Sequence, residues 1–165
     1  THNIPISNSW PKINFKQRTD HYWQQILKRL NNNQLEIASN LNNLKIELDI
    51  KLKSSGYSPR LCHMDPNPNN WIIGENKIHL IDWEYSAIGN PAWDLAIICD
   101  TFELTENQKE KFLRHYSSSL VKQKQLDFAQ LQMEYLSALW FCVQSITNTE
   151  NLVDGLLQIA KKINL

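Results

Sequence analysis

Apolar positions follow helical spacing near both ends of the 165-residue chain and form short runs in its middle. Residues 1–18 contain two prolines and no sustained period, which predicts an extended lead-in. A first helix is predicted from about residue 19, with Thr19 or Asp20 as its cap. A second helix is predicted over residues 34–54, with Gly56 as the stop signal after it.

The pattern changes between residues 59 and 82. Apolar runs at residues 71–73 and 78–81 flank the segment Gly74–Lys77, which predicts a β-hairpin. Further helices are predicted over residues 92–101, after a capping box made by Thr105 and Gln108, over residues 126–147 and after Thr149. Helices around a small β insert predict a mainly α domain of the α+β type.

Composition and charge exclude several classes of function. The 17 basic residues balance the 17 acidic ones, which argues against a nucleic-acid partner, since phosphate binding needs basic excess. The longest apolar runs are far shorter than the ~20 residues of a membrane-spanning helix, so no membrane span is expected. Three scattered cysteines without CxxC spacing predict buried free thiols. Together with an N-terminal segment that has no signal-peptide pattern, they predict a cytoplasmic protein.

Polar residues in the middle of the chain have the spacing of a phosphotransfer site. His63, Asp65 and Asn70 form the pattern His-x-Asp-x-x-x-x-Asn, and Asp82 follows the second apolar run. Carboxylate and amide oxygens are hard ligands suited to Mg²⁺, and a separate carboxylate can orient a hydroxyl nucleophile. The spacing matches the catalytic loop and metal-binding Asp of kinases. The four glycines form no phosphate-binding loop, so a nucleotide loop is expected elsewhere.

The runs His63–Asn70, Leu80–Ser86 and Gly89–Ala96 together resemble one particular protein family. They are similar to the C-terminal lobe of the choline/ethanolamine kinase and aminoglycoside phosphotransferase superfamily, especially to bacterial choline and thiamine kinases. Many relatives carry a small residue or Gly before the Asn that corresponds to Asn70. In this chain the loop before Asn70 reads Pro66-Asn67-Pro68-Asn69. The resemblance implies a protein-kinase-like C-terminal lobe, in which a small hairpin carries the catalytic and metal-binding loops.

The resemblance also implies roles for the polar residues. Asp65 is expected to be the catalytic base that positions a substrate hydroxyl. His63 is expected to support the backbone of the loop, and Asp94 to brace that loop from the start of its helix. Asn70 and Asp82 are expected to bind the Mg²⁺ that bridges the phosphates of ATP.

Three further residues are predicted to contact the substrate. Glu84 and Tyr85 match a family stretch near the metal. Trp140 lies in the run Ala138–Ser145, which resembles a helix lining the choline pocket of choline kinases. An aromatic ring attracts organic cations through its face, so a cationic alcohol is the predicted substrate.

The resemblance predicts the organisation of the chain as well. Residues 1–18 are expected to be a lead-in from a missing N-terminal lobe, and residues 19–165 to be the substrate- and Mg²⁺-binding lobe. That missing lobe is then the expected partner, and the chain alone is expected not to turn over ATP.

The function predicted is transfer of the ATP γ-phosphate to a hydroxyl of choline, ethanolamine or thiamine type. Two alternatives stay open: an aminoglycoside-type phosphotransferase, and a kinase-like domain that binds without catalysis. A metal hydrolase built on His63, Asp65 and Asp82 is less favoured, because the chain has neither an HxHxDH nor an HExxH cluster.

Overall fold

The computed structural model describes residues 2–29, 43, 45–48, 50, 57–75, 77–116, 121–144, 156–158 and 161–162. The chain divides into two compact units. The first contains residues 1–13 and 56–130, and the second contains residues 14–55 and 131–165.

Two antiparallel strand pairs organise the first unit. Strand β1 (Arg60–Cys62) pairs with β4 (Ala87–Gly89), and β2 (Trp71–Ile73) pairs with β3 (Ile78–Leu80). The second pair is the predicted hairpin, which is confirmed. The partnership of β1 with β4 was not predicted, because the two strands are only three residues long and lie far apart in the sequence.

Three helices begin in the first unit. Helix α2 (Pro91–Thr101) begins after Asn90, whose side-chain oxygen accepts from the Ala92 N–H at 3.0 Å. Helix α3 (Glu106–Tyr116) begins after Thr105, whose N–H donates to Gln108 Oε1 at 2.8 Å. Both helices were predicted from the sequence. The predicted capping box is confirmed for the bond in which the Gln108 side chain accepts from the Thr105 N–H.

Helix α4 (Gln123–Gln144) contributes to both units, with the division between residues 130 and 131. It begins three residues before the predicted position 126. The reason is a second cap of the same kind, in which the Lys122 N–H donates to Gln125 Oε1 at 2.8 Å. The predicted end of this helix at residue 147 falls outside the described residues.

Helix α1 (Phe15–Arg29) opens the second unit and corrects the predicted lead-in. The helix starts before Thr19, because Asn14 caps it: its Oδ1 accepts from the Gln17 N–H at 3.2 Å and its carbonyl from Arg18. Residues 15–18 are therefore helical. Trp23 is buried in this unit, and its indole N–H donates to Tyr135 Oη at 2.8 Å.

The other predicted helices fall largely outside the described residues. Helical backbone is described at residues 43, 45–48 and 50, and again at 156–158 and 161–162; the rest of the helices predicted over 34–54 and after Thr149 is not. All three cysteines are buried thiols, as predicted. Among the described helices, none combines the length and apolar character needed to cross a membrane.

The lead-in, which now means the residues before α1, packs against β4 next to Gly89. Lys12 forms a parallel bridge with Ile88, and the Ile13 N–H donates to the Ile88 carbonyl at 2.9 Å. A Cβ atom on Gly89 would lie 2.8 Å from Ile13 Cγ2 and 3.2 Å from Trp93 Cζ3. The absence of a side chain at Gly89 therefore lets the lead-in and α2 both pack against β4.

We expect Gly89→Ala to destabilise the protein by about 1–3 kcal/mol, the usual cost of overpacking. Thermal unfolding followed by circular dichroism should show a melting temperature several degrees lower. Gly74→Ala is the matched control, since among the described residues a Cβ there meets only the Lys77 carbonyl, at the ordinary distance of 3.5 Å. Equal melting temperatures for the two variants would contradict this account of Gly89.

Candidate active site

A buried carboxylate holds the loop that follows β1. Asp94 lies in the first turn of α2 and is 4% exposed. Its Oδ2 accepts from the His63 N–H at 2.7 Å, and its Oδ1 accepts from the Met64 N–H at 2.9 Å. The pairing of β1 with β4 explains this meeting, because β1 leads directly into the loop while β4 leads into α2.

Met64, held in this way, has a left-handed backbone with φ 72°. This region costs a non-glycine residue about 1–3 kcal/mol, and such strain is concentrated at functional sites. A second strained residue, Asp82 with φ 61°, follows β3. Of the three described non-glycine residues with positive φ, Met64 precedes Asp65 and Asp82 is itself a predicted site residue, whereas Glu103 follows α2.

The His63 ring links this loop to the end of the hairpin. The ring is fully buried, with Nε2 2.7 Å from the Ile81 carbonyl oxygen, and the Asp65 N–H donates to Nδ1 at 3.3 Å. Since the carbonyl can only accept, Nε2 carries the proton and Nδ1 is the acceptor. Trp83 packs edge-on against the ring at 4.7 Å between centroids. His63 thus connects the backbones that precede Asp65 and Asp82.

Asp65 is partly exposed, and two asparagine side chains orient it. Asn67 Nδ2 donates to Asp65 Oδ1 at 2.8 Å, and Asn70 Nδ2 lies 3.2 Å from Oδ2. Asn67 also caps the short 3-10 helix Pro68–Asn70 by accepting from the Asn69 N–H at 3.0 Å. The sequence Pro66–Asn69 therefore forms a capped turn that presents Asp65 and Asn70 on one side.

Asn70 and Asp82 come together through the hairpin backbone. The Ile81 N–H donates to the Asn70 carbonyl at 2.9 Å, so Asp82 follows directly after the residue paired with Asn70. The buried Asn70 amide nitrogen faces Asp65, donating to its carbonyl at 2.8 Å. In the described part of the chain no donor meets the Asn70 amide oxygen, which leaves that oxygen and the exposed Asp82 carboxylate as hard ligands suited to Mg²⁺.

Glu84 and Tyr85 form an exposed turn beside this group. The pKa of the Tyr85 phenol is raised, mainly by its hydrogen bond to Glu84 and by the charge of Glu84. The charges of Asp82 and Asp65 raise that pKa further. Tyr85 therefore experiences the negative field of all three carboxylates, which is a field suited to cations.

Trp140 is not among these residues. It belongs to the second unit, lies 43% exposed on α4 and packs edge-on against Phe141 at 5.0 Å between centroids. The predicted site residues of the first unit are described together above, whereas the substrate role of Trp140 stays a prediction.

Sequence reasoning missed two residues that shape the loop. The Trp71 side chain is half-buried, and its indole N–H donates to the Pro66 carbonyl at 3.1 Å, a contact that sequence reasoning did not predict. Sequence reasoning also gave no role to Asn67, which orients Asp65. The available signals were an indole directly after Asn70 and an Asn-Pro pair inside the loop, a common combination at capped turns.

The strand pairs, the following helix and the polar loops are those of a kinase-like fold. The ADP-bound crystal structure of the aminoglycoside phosphotransferase APH(2'')-Ib superposes with a TM-score of 0.62 at 20% identity, over 96% of this chain and 57% of that one. The choline kinase LicA from Streptococcus pneumoniae superposes with a TM-score of 0.65 at 24% identity, over 89% of this chain and 56% of that one.

Residues 8–131 match the phosphotransferase enzyme family, and the chain belongs to that family. A LicA homolog from Mycoplasma capricolum is 31% identical over 137 residues, covering 83% of this chain and 54% of that protein. The chain thus spans about half the length of this relative. The predicted resemblance and the kinase-like, mainly helical fold class are confirmed.

We expect Glu84→Gln to lower the pKa of Tyr85 towards its ordinary value, because it removes the charged hydrogen-bond partner that contributes most to the rise. The pKa of Tyr85 can be followed by NMR of a ¹³Cζ-tyrosine label during a titration with base. Glu103→Gln is the control, as that exposed carboxylate contributes nothing to the described shift. A Tyr85 pKa that Glu84→Gln leaves unchanged would contradict the assigned cause.

Proposed function

We propose that this chain is the C-terminal half of an ATP-dependent kinase that phosphorylates the hydroxyl of a cationic alcohol of choline, ethanolamine or thiamine type. The observations that support the proposal are the contact of Asn70 with Asp65 and the hydrogen bonds that tie Asn70 and His63 to Ile81, the residue before Asp82. A base and two hard-oxygen ligands at one place are the parts that phosphoryl transfer needs.

Asp65 is the base in this proposal. Its carboxylate is partly exposed and oriented by Asn67 and Asn70, so it can accept the proton of a substrate hydroxyl. The hydroxyl oxygen forms a bond to the γ-phosphorus as the bond between that phosphorus and the β–γ bridging oxygen breaks, and ADP leaves. Most of the catalysis is then positioning and charge stabilisation.

Asn70 and Asp82 are the proposed Mg²⁺ ligands. The donor set fits the ion, because an amide oxygen and a carboxylate are hard ligands and Mg²⁺ completes its shell with water and phosphate oxygens. When bound, the ion neutralises charge on the phosphates of ATP. His63 and Asp94 act as positioning residues, since they hold the backbone on which Asp65 is carried.

The charge of the site and the relatives support a cationic substrate. Glu84 adds a third carboxylate beside Asp65 and Asp82, and Tyr85 is 53% exposed next to it. We place the substrate beside these residues, and the substrate role of Trp140 stays a prediction from the sequence. The similarity to LicA proteins favours choline-type alcohols, while an aminoglycoside acceptor is the alternative because APH(2'')-Ib has the same fold.

A second lobe is proposed to cover the hairpin. Ile73 and Ile78 are cross-strand partners near its tip and are 78% and 64% exposed. We propose that this exposed apolar pair is part of a contact surface, because the match to the LicA homolog covers only 54% of that protein. This lobe would supply the nucleotide-binding loop that this sequence lacks. We also propose that the protein is cytoplasmic, where its cysteines would stay reduced.

We expect Asp65→Asn, in the full-length protein that contains this chain, to lower kcat by about 10²–10⁴-fold, the usual contribution of general-base catalysis. Affinity for Mg·ATP should change little, because the proposed role of Asp65 is at the acceptor hydroxyl and Asn70 keeps its hydrogen bond to the Asp65 carbonyl. Product analysis with choline, ethanolamine, thiamine and an aminoglycoside measures the first quantity, and isothermal titration measures the second.

Asp100→Asn is the matched control, an exposed carboxylate on α2 outside the site. Undiminished turnover in Asp65→Asn would sink its assignment as the base. Tight binding of Mg·ATP without any product in the unsubstituted protein would favour the non-catalytic alternative.

We expect Asp82→Asn to weaken divalent-cation binding by this chain. Mn²⁺ serves as the probe, because its unpaired electrons broaden nearby NMR signals. In the unsubstituted chain the amide signals of Asn70 and Asp82 should broaden at low Mn²⁺ concentration, and the substitution should raise the concentration required by about tenfold or more. Broadening centred elsewhere, or insensitive to Asp82→Asn but sensitive to Asp100→Asn, would contradict the proposed ligands.

A further inference from the structure

A buried histidine from the lead-in contacts the carboxylate that holds the catalytic loop. His2 is 7% exposed, and its Nε2 lies 3.0 Å from Asp94 Oδ2. Its Nδ1 pairs with the hydroxyl of Tyr116, the last residue of α3, whose ring packs edge-on at 5.5 Å between centroids. The position of His2 in the sequence gives no sign of these contacts.

The partners determine which ring nitrogen carries the proton. An ionised carboxylate only accepts, so His2 Nε2 donates to Asp94. In the neutral ring Nδ1 then accepts from the Tyr116 hydroxyl. Burial raises the pKa of Tyr116, which keeps that hydroxyl protonated and able to donate. The three side chains thus form a directed chain from Tyr116 through His2 to Asp94.

The same cluster has the residue types of a metal site. Ligand atoms of His2, Cys62 and Asp94 lie within 4.8 Å of one another. However, Asp94 already accepts from His2, His63 and Met64, which occupies three of the roughly four acceptor positions of its two oxygens. Burial also raises the pKa of the Cys62 thiol, so the thiolate that a metal requires is disfavoured. Hydrogen bonding therefore accounts for the cluster better than a metal does.

We propose that His2 is a positioning residue for the catalytic loop, acting through Asp94; for catalysis this rests on the proposed function. Asp94 Oδ2 receives His2 from one side and the His63 N–H from the other. This fixes the rotation of the carboxylate, and hence the aim of Oδ1 at the Met64 N–H. Met64 is the strained residue immediately before Asp65, so the lead-in helps determine where the base lies.

The test compares His2→Phe with His2→Gln. Phenylalanine keeps the ring volume but donates nothing, whereas the Gln Nε2 can replace the donor of the imidazole. His21→Phe is the matched control, because His21 is an exposed histidine on α1 that contacts Gln25. Amide hydrogen exchange in this chain reports the loop directly, and kinetics of the full-length protein report catalysis.

We expect His2→Phe to speed exchange of the His63 and Met64 amides by roughly tenfold or more, with the β2–β3 amides unchanged. In the full-length protein kcat should fall by about 10- to 100-fold, with KM for ATP nearly constant, as expected for a displaced base. His2→Gln should recover most of both losses. Tyr116→Phe, which keeps the half-buried aromatic ring, should give a smaller change in the same direction.

Three results would overturn the proposal: unchanged exchange at His63 and Met64, exchange that rises equally throughout the first unit, or a His2→Gln variant as impaired as His2→Phe. A Co²⁺–thiolate absorption band abolished by His2→Phe would also overturn it, by making the cluster a metal site. Absence of phosphotransfer in the unsubstituted protein would refute the proposed function alone, since amide exchange still reports positioning.

Discussion

The carboxylate of Asp94 is the group on which the arrangement of the site depends. It is buried, and burying a charge is costly unless hydrogen bonds replace water. Here the backbone N–H groups of His63 and Met64 and the ring of His2 supply those bonds. Hydrogen bonds to charged groups contribute about 1.5–3 kcal/mol each, so two of them can offset the ~1–3 kcal/mol strain of the left-handed Met64.

Secondary structure explains how this carboxylate reaches the loop. Gly89 ends β4 and lets the lead-in and Trp93 pack closely, and Asn90 then caps α2. The cap fixes where the helix begins, and with it the position of Asp94 in the first turn. A carboxylate at this end also interacts favourably with the helix dipole. The helix cap and the strand pairing therefore place the Asp94 carboxylate against the His63 N–H, about thirty residues earlier in the sequence.

Much of this could be predicted from the sequence. The hairpin, α2 and α3 have local signals, namely short apolar runs, a Pro after Asn90 and the Thr105–Gln108 pair. The candidate residues were found because their spacing is specific in combination. The pairing of β1 with β4 could not be predicted, since two three-residue strands carry no periodicity. The contacts of His2 could not be predicted for a related reason. Its partners, Asp94 and Tyr116, lie about 90 or more residues away, so no local pattern indicates them.

The His63 ring explains why the two loops of the site form a unit. One nitrogen donates to the Ile81 carbonyl and the other accepts from the Asp65 N–H, so both are used. Because Ile81 also pairs with Asn70, displacement of the hairpin end would move Asn70 and Asp82 while pulling on the loop that carries Asp65. Asn, Gln or a hydroxyl residue would have to span the same distance with a donor at one end and an acceptor at the other. A neutral imidazole does this rigidly, which accounts for histidine at this position without requiring it to touch a substrate.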